Sequence, residues 1–536
     1  MSEPDLELRS TRGRGVLAAT IVGSGLASLD GTVVNVALPR IGADLDAGLT
    51  TLQWTVNAYT LTLAGLLLLG GSLGDRRGRR RIYVVGVLWF TAASIGCAVA
   101  PTGGLLVGMR ALQGVGAALL TPGSLAILEA VFRREDRAAA VGAWSGLGGI
   151  ATAIGPLVGG LLIGVAPWGW RLVFLINLPL AALVIFLSAR FIPETRDEDA
   201  SGRLDVPGAA LAAVGLGLVV YALTEGPHKA WNGLLVTCLV VGVALLVAFL
   251  VVEGRSRSPM MPLVLFRSRD FAAANVVTLA VYAAISGALF LLPLQLQRVA
   301  GYPPVAAGSA LLPVTLVMLL LSARMGRLAQ RIGPRWPMTV GPVVAAAGLS
   351  MMVRIGADAS YLTDVLPAAI VFALGLSATV APLTATVLAA APRHQVGVAS
   401  AVNNDVARAA GLLAVAVLPG IAGITPHAYD RPAELSTGFH HAVLIAAALC
   451  AVGGILSAFL IGREVLGIDD ARAEDPAAFQ LHCPVTTPHA RPCRSGTDHH
   501  GDAGPVAGAV VSASPDGAGG RPPVEGDGAD PGHLAR

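Results

Sequence analysis

GSLGDRRGRRR, residues Gly71–Arg81, closes one apolar run (Leu61–Gly71) and precedes another (Ile82–Ala100). As sequence it reads as a tight turn of glycines, one acid and a crowd of arginines between two membrane-length segments. A weaker copy, GRLAQRIGPR, occupies Gly326–Arg335. Aligned, both read Gly-x-Leu-small-(Asp/Gln)-Arg-x-Gly-x-Arg, with Gln330 where Asp75 stands. Two copies of one loop, each between hydrophobic segments, predict a chain built from two related halves.

Composition sets the solvent for those halves. The chain is 54% hydrophobic and 13% charged, with mean hydropathy +0.69, so its length belongs to membrane helices and not to several soluble domains. Apolar stretches of roughly 20 residues recur, enough to cross a hydrocarbon core of about 30 Å. Abundant glycine suits close helix approach. The pattern predicts an all-α polytopic membrane protein with helices at 15–38, 51–73, 82–100, 104–131, 138–165, 169–191, 206–224, 232–253, 270–297, 304–324, 336–355, 363–391, 396–423 and 439–461. The first apolar run leads straight into further spans and lacks a small-residue cleavage site, unlike a signal peptide.

The arginines orient the chain. They crowd the loops after even-numbered spans (Arg76–Arg81; Arg133, Arg134 and Arg137; Arg190, Arg196 and Arg203; Arg255–Arg269; Arg324–Arg335), whereas odd-numbered loops hold single basic residues such as Arg40, Lys229, Arg298 and Arg431. By the positive-inside rule both termini face the cytoplasm of the cell membrane. The net charge of +3 is thus spent on topology and gives no sign of nucleic-acid binding. Arginine in place of lysine, with abundant alanine, is the composition of a GC-rich bacterial genome. The repeated loop falls after spans two and ten, which predicts a six-two-six plan. It comprises a cytoplasmic N-terminus (1–14), an N-terminal six-helix bundle (15–200), two inserted helices with a linker (201–269), a C-terminal bundle (270–462) and a disordered tail (463–536).

Few residues in the spans can carry chemistry. Asp30 sits in LASLDGTVVNVALP, and Gly23, Ala27, Val34 and Ala37 share its helical face, a small face suited to bordering a water-filled cavity. A carboxylate at membrane depth costs roughly 2.5–3.5 kcal/mol, which marks it either as a proton carrier or as an interfacial acid bonded to Thr32 or Asn35. Arg110 in the fourth span either faces an internal partner such as Asp30 or Gln113, or snorkels to headgroups. In the fifth span Ala151, Gly155 and Gly159 fall four apart, and Pro156 frees a carbonyl one turn earlier; close packing and a sliding gate both need such a helix. Asp75 is read as a cytoplasmic latch to an arginine of another helix, against a simple lipid anchor for the loop. Asp405 and Arg408, one turn apart, are expected to pair with each other. Glu225, His440 and His441 are expected at interfaces. The His and Cys residues of the tail (His482, Cys483, His489, Cys493, His499, His500) match no zinc spacing. No GxxxxGK[ST], HExxH or CxxC motif occurs, so no cofactor, metal or catalytic site is expected, and uphill work must draw on an ion gradient.

Taken in order, these segments resemble the major facilitator superfamily, in particular its fourteen-span drug:proton antiporters. The resemblance rests on LDGTVVNVALP (29–39), QWTVNAYTL (53–61), GSLGDRRGRRR (71–81), RALQGVGAA (110–118), GPLVGG (155–160), WGWRLVFLINLP (168–179) and SPMMPLVLFRSRDF (258–271). It implies two six-helix bundles plus two inserted helices. It further implies proton coupling at Asp30 and Arg110, an inner gate of Gly71, Asp75, Arg76, Gly78 and Arg79, and an antiporter motif of Gly155, Pro156, Gly159 and Gly160. Asn35, Asn57, Tyr59 and Gln113 are the polar candidates for the substrate cavity. The function expected is proton-coupled efflux of a small amphipathic organic compound, a drug or antibiotic, with protons and the lipid bilayer as its other partners. A metabolite transporter for an amino acid, sugar or siderophore is the alternative, and a non-transporting receptor or scaffold a more distant one.

Overall fold

The computed structural model describes residues 6–196, 205–229, 231–256, 259–392, 395–462 and 465–466. The expected tail, with its His and Cys residues, lies outside them except for 465 and 466. Among the described residues fourteen helices are long and apolar enough to cross a membrane. In chain order they are α1 (Thr11–Asp44), α2 (Leu49–Arg77), α3 (Arg79–Ala98), α4 (Gly103–Val131), α5 (Arg134–Gly164), α6 (Gly169–Phe191) and α7 (Val206–Lys229). There follow α8 (Gly233–Arg255), α9 (Arg269–Val299), α10 (Pro304–Ile332), α11 (Arg335–Arg354), α12 (Tyr361–Ala389), α13 (Val396–Ile421) and α14 (Pro432–Leu460).

Several boundaries differ from the sequence reading, the end of α10 by eight residues (Ile332 against 324), and two of them have plain local reasons. Helix α1 begins at Thr11 because the Ser10 hydroxyl accepts from the Gly13 amide at 3.0 Å, an N-cap that hydropathy does not register. Helix α14 begins at Pro432, in the first turn where proline's fixed φ suits a helix. The loop GSLGDRRGRRR is also corrected. Gly71–Arg77 are the last turns of α2, and Gly78 alone, at φ +109°, separates α2 from α3. Gly333, the matching glycine of the second copy, likewise has positive φ at +85°. The repeat is thus a helix end and a short break, Gly78 alone in the first copy and Gly333 with Pro334 in the second.

Packing repeats with the sequence. In the first half α4 lies against α2 and α3, α1 against α5 and α6, and α3 against α6; α12 with α10 and α11, α9 with α13 and α14, and α11 with α14 repeat this set. The hairpin α7–α8 rests through α7 on α2 and α13. Glu225 anchors it, accepting from Trp54 Nε1 at 3.0 Å and pairing with Lys229 at 3.1 Å. His440 and His441 lie inside α14, near the carbonyls of Ile355 and Ala422.

Among the described residues the halves meet chiefly toward one end. There a single apolar cluster takes Val36, Leu38, Ile41 and Leu52 from the first half and Leu291, Leu294, Leu296, Leu418 and Tyr429 from the second. Toward the arginine-bearing loops the core divides into one cluster drawn from residues 16–192 and another from 265–461. Positions 142, 146, 148 and 149 on α5 have open space where a Cβ would be. The helices are therefore closed together at the Gln53 end and parted at the arginine end.

Candidate functional site

Asp30 and Arg110 meet. Arg110 Nη1 donates to Asp30 Oδ2, and both side chains are buried, at 0% and 1% exposure. Asp30 Oδ1 accepts from Gln113 Nε2 at 2.8 Å and from Asn177 Nδ2 at 3.1 Å. Arg110 also donates through Nε to the Thr55 carbonyl at 2.9 Å and through Nη1 to Gln113 Oε1 at 2.6 Å. Its guanidinium lies 4.3 Å from the Tyr59 ring centre, a cation–π contact. Ser94 links the amides from behind, accepting from Gln113 at 2.8 Å and from Asn177 at 3.3 Å. One carboxylate thereby ties together α1, α2, α3, α4 and α6. A buried ion pair is tolerable only when its remaining donors and acceptors are met, and here three side-chain donors converge on Asp30.

The helix face of Asp30 is not a cavity wall, as its small residues suggested. Gly23 and Ala27 are small because Tyr83 and Tyr59 pack over them, with Tyr83 Oη donating to the Ala19 carbonyl at 2.8 Å and Tyr59 Oη to that of Ala27 at 3.1 Å. The cavity candidates scatter. Tyr59 and Gln113 belong to the buried network. Asn57 reaches across to the Leu412 carbonyl on α13 at 3.5 Å, and Asn35 is half-buried in α1. Sequence reasoning missed Asn177, Ser94 and Thr55. Asn177 had a signal, since it is the one amide in the apolar run LVFLINLPL; Thr55 contributes only its backbone and has none.

At Gly155–Gly160 the carbonyl freed by Pro156 is accounted for. Pro156 leaves the Thr152 oxygen without its helical donor, and Thr32 Oγ1, on α1 two residues past Asp30, donates to it at 3.1 Å. A Cβ on Gly155 would lie 2.1 Å from Thr32 Oγ1, and one on Gly159 2.7 Å from Val33 Cγ2. Gly160 faces the other half, where a Cβ would stand 2.6 Å from the Pro304 carbonyl of α10. Pro419 on α13 does the same across the halves. The Val415 carbonyl it frees accepts from Gln53 Nε2 at 2.7 Å, and Gln297 Nε2 closes a second bond to the Val36 carbonyl at 2.9 Å.

At the arginine end Asp75 pairs with Arg79 at 2.8 Å, at the head of the next helix and not across the halves. The rest of the loop docks on the end of α6: Arg79 N donates to the Thr195 carbonyl at 2.8 Å and Arg80 N to Glu194 Oε1 at 3.1 Å. Arg76 is half-buried with Nε unpaired, and Gly71 packs on Pro122 of α4. Asp405 and Arg408 do not pair as expected: no ion pair within 4.0 Å joins them, and Asp405 Oδ1 and Arg408 Nε are buried without a hydrogen-bond partner. Among the described residues no three His, Cys, Asp or Glu side chains converge as a metal site would require.

Two like half-bundles, closed together at one end and parted at the other, with a buried ion pair inside the first, are the architecture of a membrane transporter. The chain belongs to the Major Facilitator Superfamily, whose profile matches residues 20–416. It is a multi-pass transporter of a small molecule and not an enzyme. It is 37% identical to the puromycin resistance protein of Streptomyces alboniger, over 89% of this chain and 94% of that one. It is 36% identical to a multidrug resistance protein of Mycobacterium tuberculosis (76% and 75% covered) and 35% identical to the methylenomycin A resistance protein of Streptomyces coelicolor (78% and 88%). The fold matches a bacterial homolog of the human lysosomal transporter Spinster in an inward-facing, unoccupied conformation, with TM-score 0.61 and 16% identity over 84% of this chain and 97% of that one.

Proposed function

We propose that this protein exports a small amphipathic organic compound of the antibiotic class in exchange for protons, by alternating access. The resistance proteins to which it is similar support the cargo class. The observation that carries the coupling is the buried Asp30–Arg110 pair. With the arginine-rich ends and both termini in the cytoplasm, the parted end opens inward. In this state Asp30 is occupied by Arg110, Gln113 and Asn177, so a proton joins it only when one of these donors leaves. Opening toward the outside withdraws Arg110, whose Thr55 contact moves with α2, and Asp30 takes a proton as cargo departs. Reopening inward returns the guanidinium and expels the proton. Breaking a buried pair costs about 3–5 kcal/mol, a barrier that proton binding on one side and cargo on the other offset. Asp75, Arg76, Gly78 and Arg79 latch the arginine end when it closes; Gly155, Pro156, Gly159 and Gly160 form the surface on which α5 slides over α1 and α10. The inserted α7–α8 pair separates the two six-helix bundles in sequence.

The test is efflux from proteoliposomes under an imposed pH difference. Asp30→Asn is expected to insert normally and to lose gradient-driven accumulation. Equal transport with the pH difference collapsed and the voltage held at zero refutes proton coupling.

A further inference from the structure

The Asp30 network leaves out the two charged residues of α13. Their position follows from the contacts above them. Asn57 of α2 meets Leu412 and Gln53 meets Ala416 across an antiparallel pair of helices. Carried one and two turns toward the arginine end, the same register sets Arg408 opposite Leu61 and Asp405 opposite Ala64. Neither α2 residue has a side-chain donor or acceptor. Since Asn57 and Gln53 of α2 reach this face of α13 one and two turns further along, it looks toward the first half, beneath the closed seam. Both residues are only partly covered, yet Asp405 Oδ1 and Arg408 Nε are buried and unpartnered. A buried polar atom left without a partner is costly, and these two atoms do not bond to each other.

We propose that Asp405 and Arg408 form the polar end of the cargo site, and that they select compounds carrying an ammonium group close to an acceptor oxygen. The ammonium donates to Asp405, and a carboxylate, phenolate or carbonyl oxygen accepts from Arg408. Side chains three apart on a helix have Cβ atoms about 5–6 Å apart, which sets the spacing of the two groups on the ligand. The apolar remainder of the ligand lies along Leu61 and Ala64. This inference rests on reading the chain as a transporter of a small organic compound; it does not depend on proton coupling.

The test is equilibrium binding to the full chain in lipid nanodiscs, with no gradient present. Three fluorescent probes share one ring system: ε-dansyl-lysine with ammonium and carboxylate, dansylcadaverine with the amine alone, and dansylglycine with the carboxylate alone. Hydrogen bonds to charged groups lead to an expected preference of about tenfold or more for ε-dansyl-lysine over either of the others. Asp405→Asn is expected to bring it down to the level of dansylglycine, and Arg408→Gln to that of dansylcadaverine. Equal binding of the three probes to the unsubstituted protein, no binding of any, or a preference that survives both substitutions overturns the proposal. Because the unsubstituted protein discriminates by itself, a variant that fails to fold does not rescue it. Gradient-driven efflux that persists alongside equal probe binding would sink this inference alone and leave the proposed exchange standing.

Discussion

Gln53→Leu tests whether the closed seam holds the two halves in their present arrangement. Gln53 Nε2 donates at 2.7 Å to the Val415 carbonyl, which Pro419 has deprived of its helical donor. With leucine at 53 that oxygen is buried without any partner, a penalty of about 1–3 kcal/mol. The substitution also removes Gln53 Oε1, itself buried and unpartnered, so the lower part of the range applies, ~1–2 kcal/mol. Opening the seam exposes the carbonyl to water and relieves the penalty. The ratio of molecules open at the Gln53 end to those open at the arginine end should therefore rise about 5- to 30-fold. Spin labels at the exposed residues Ala43 and Ala357, one in each half, report it by pulsed double electron–electron resonance in a background without native cysteines. A longer-distance population should grow in Gln53→Leu and shrink again when Pro419→Ala supplies the missing N–H. An unchanged distance distribution in Gln53→Leu refutes the argument.

Thr32→Val strips the Thr152 carbonyl of its cross-helix donor; because that bond is exposed and the hydroxyl also reaches the Leu29 carbonyl at 3.1 Å, the loss of stability should be about 0.5–1 kcal/mol. In a Pro156→Ala background the loss should largely vanish, a coupling that thermal melts in detergent can measure. Gly159→Val forces a Cβ to within 2.7 Å of Val33; overpacking of about 1–3 kcal/mol should depress the melting temperature and slow efflux together. Asp75→Asn removes the 2.8 Å pair with Arg79 and is expected to leave cargo affinity unchanged while turnover falls, read as a lowered kcat at constant Kd. Weaker binding at normal turnover would contradict a latch.

Much of this architecture was legible in sequence because membrane spans obey a simple rule of length and hydropathy. The fourteen helices and the Gly78/Gly333 repeat follow from it. Helix ends were less legible, since Ser10 and Pro432 extend helices by capping chemistry in polar sequence. The charged centre was half visible. Asp30 and Arg110 stand out in apolar runs, but that they touch, and that Asn177 of α6 completes the shell, depends on a fold that brings residues 147 positions apart within 3.1 Å. The expected Asp405–Arg408 pair failed for the complementary reason: spacing on one helix fixes proximity, not rotamer.

The seam has an evolutionary corollary. Gln53 and Gln297 each fasten to a main-chain oxygen of the opposite half, at Val415 and Val36. Such acceptors exist whatever side chain the receiving residue carries. Helix α13 can therefore exchange its side chains without unfastening the lock. A lineage of these proteins is thereby free to vary the side chains of that helix while the machinery of closure is inherited intact.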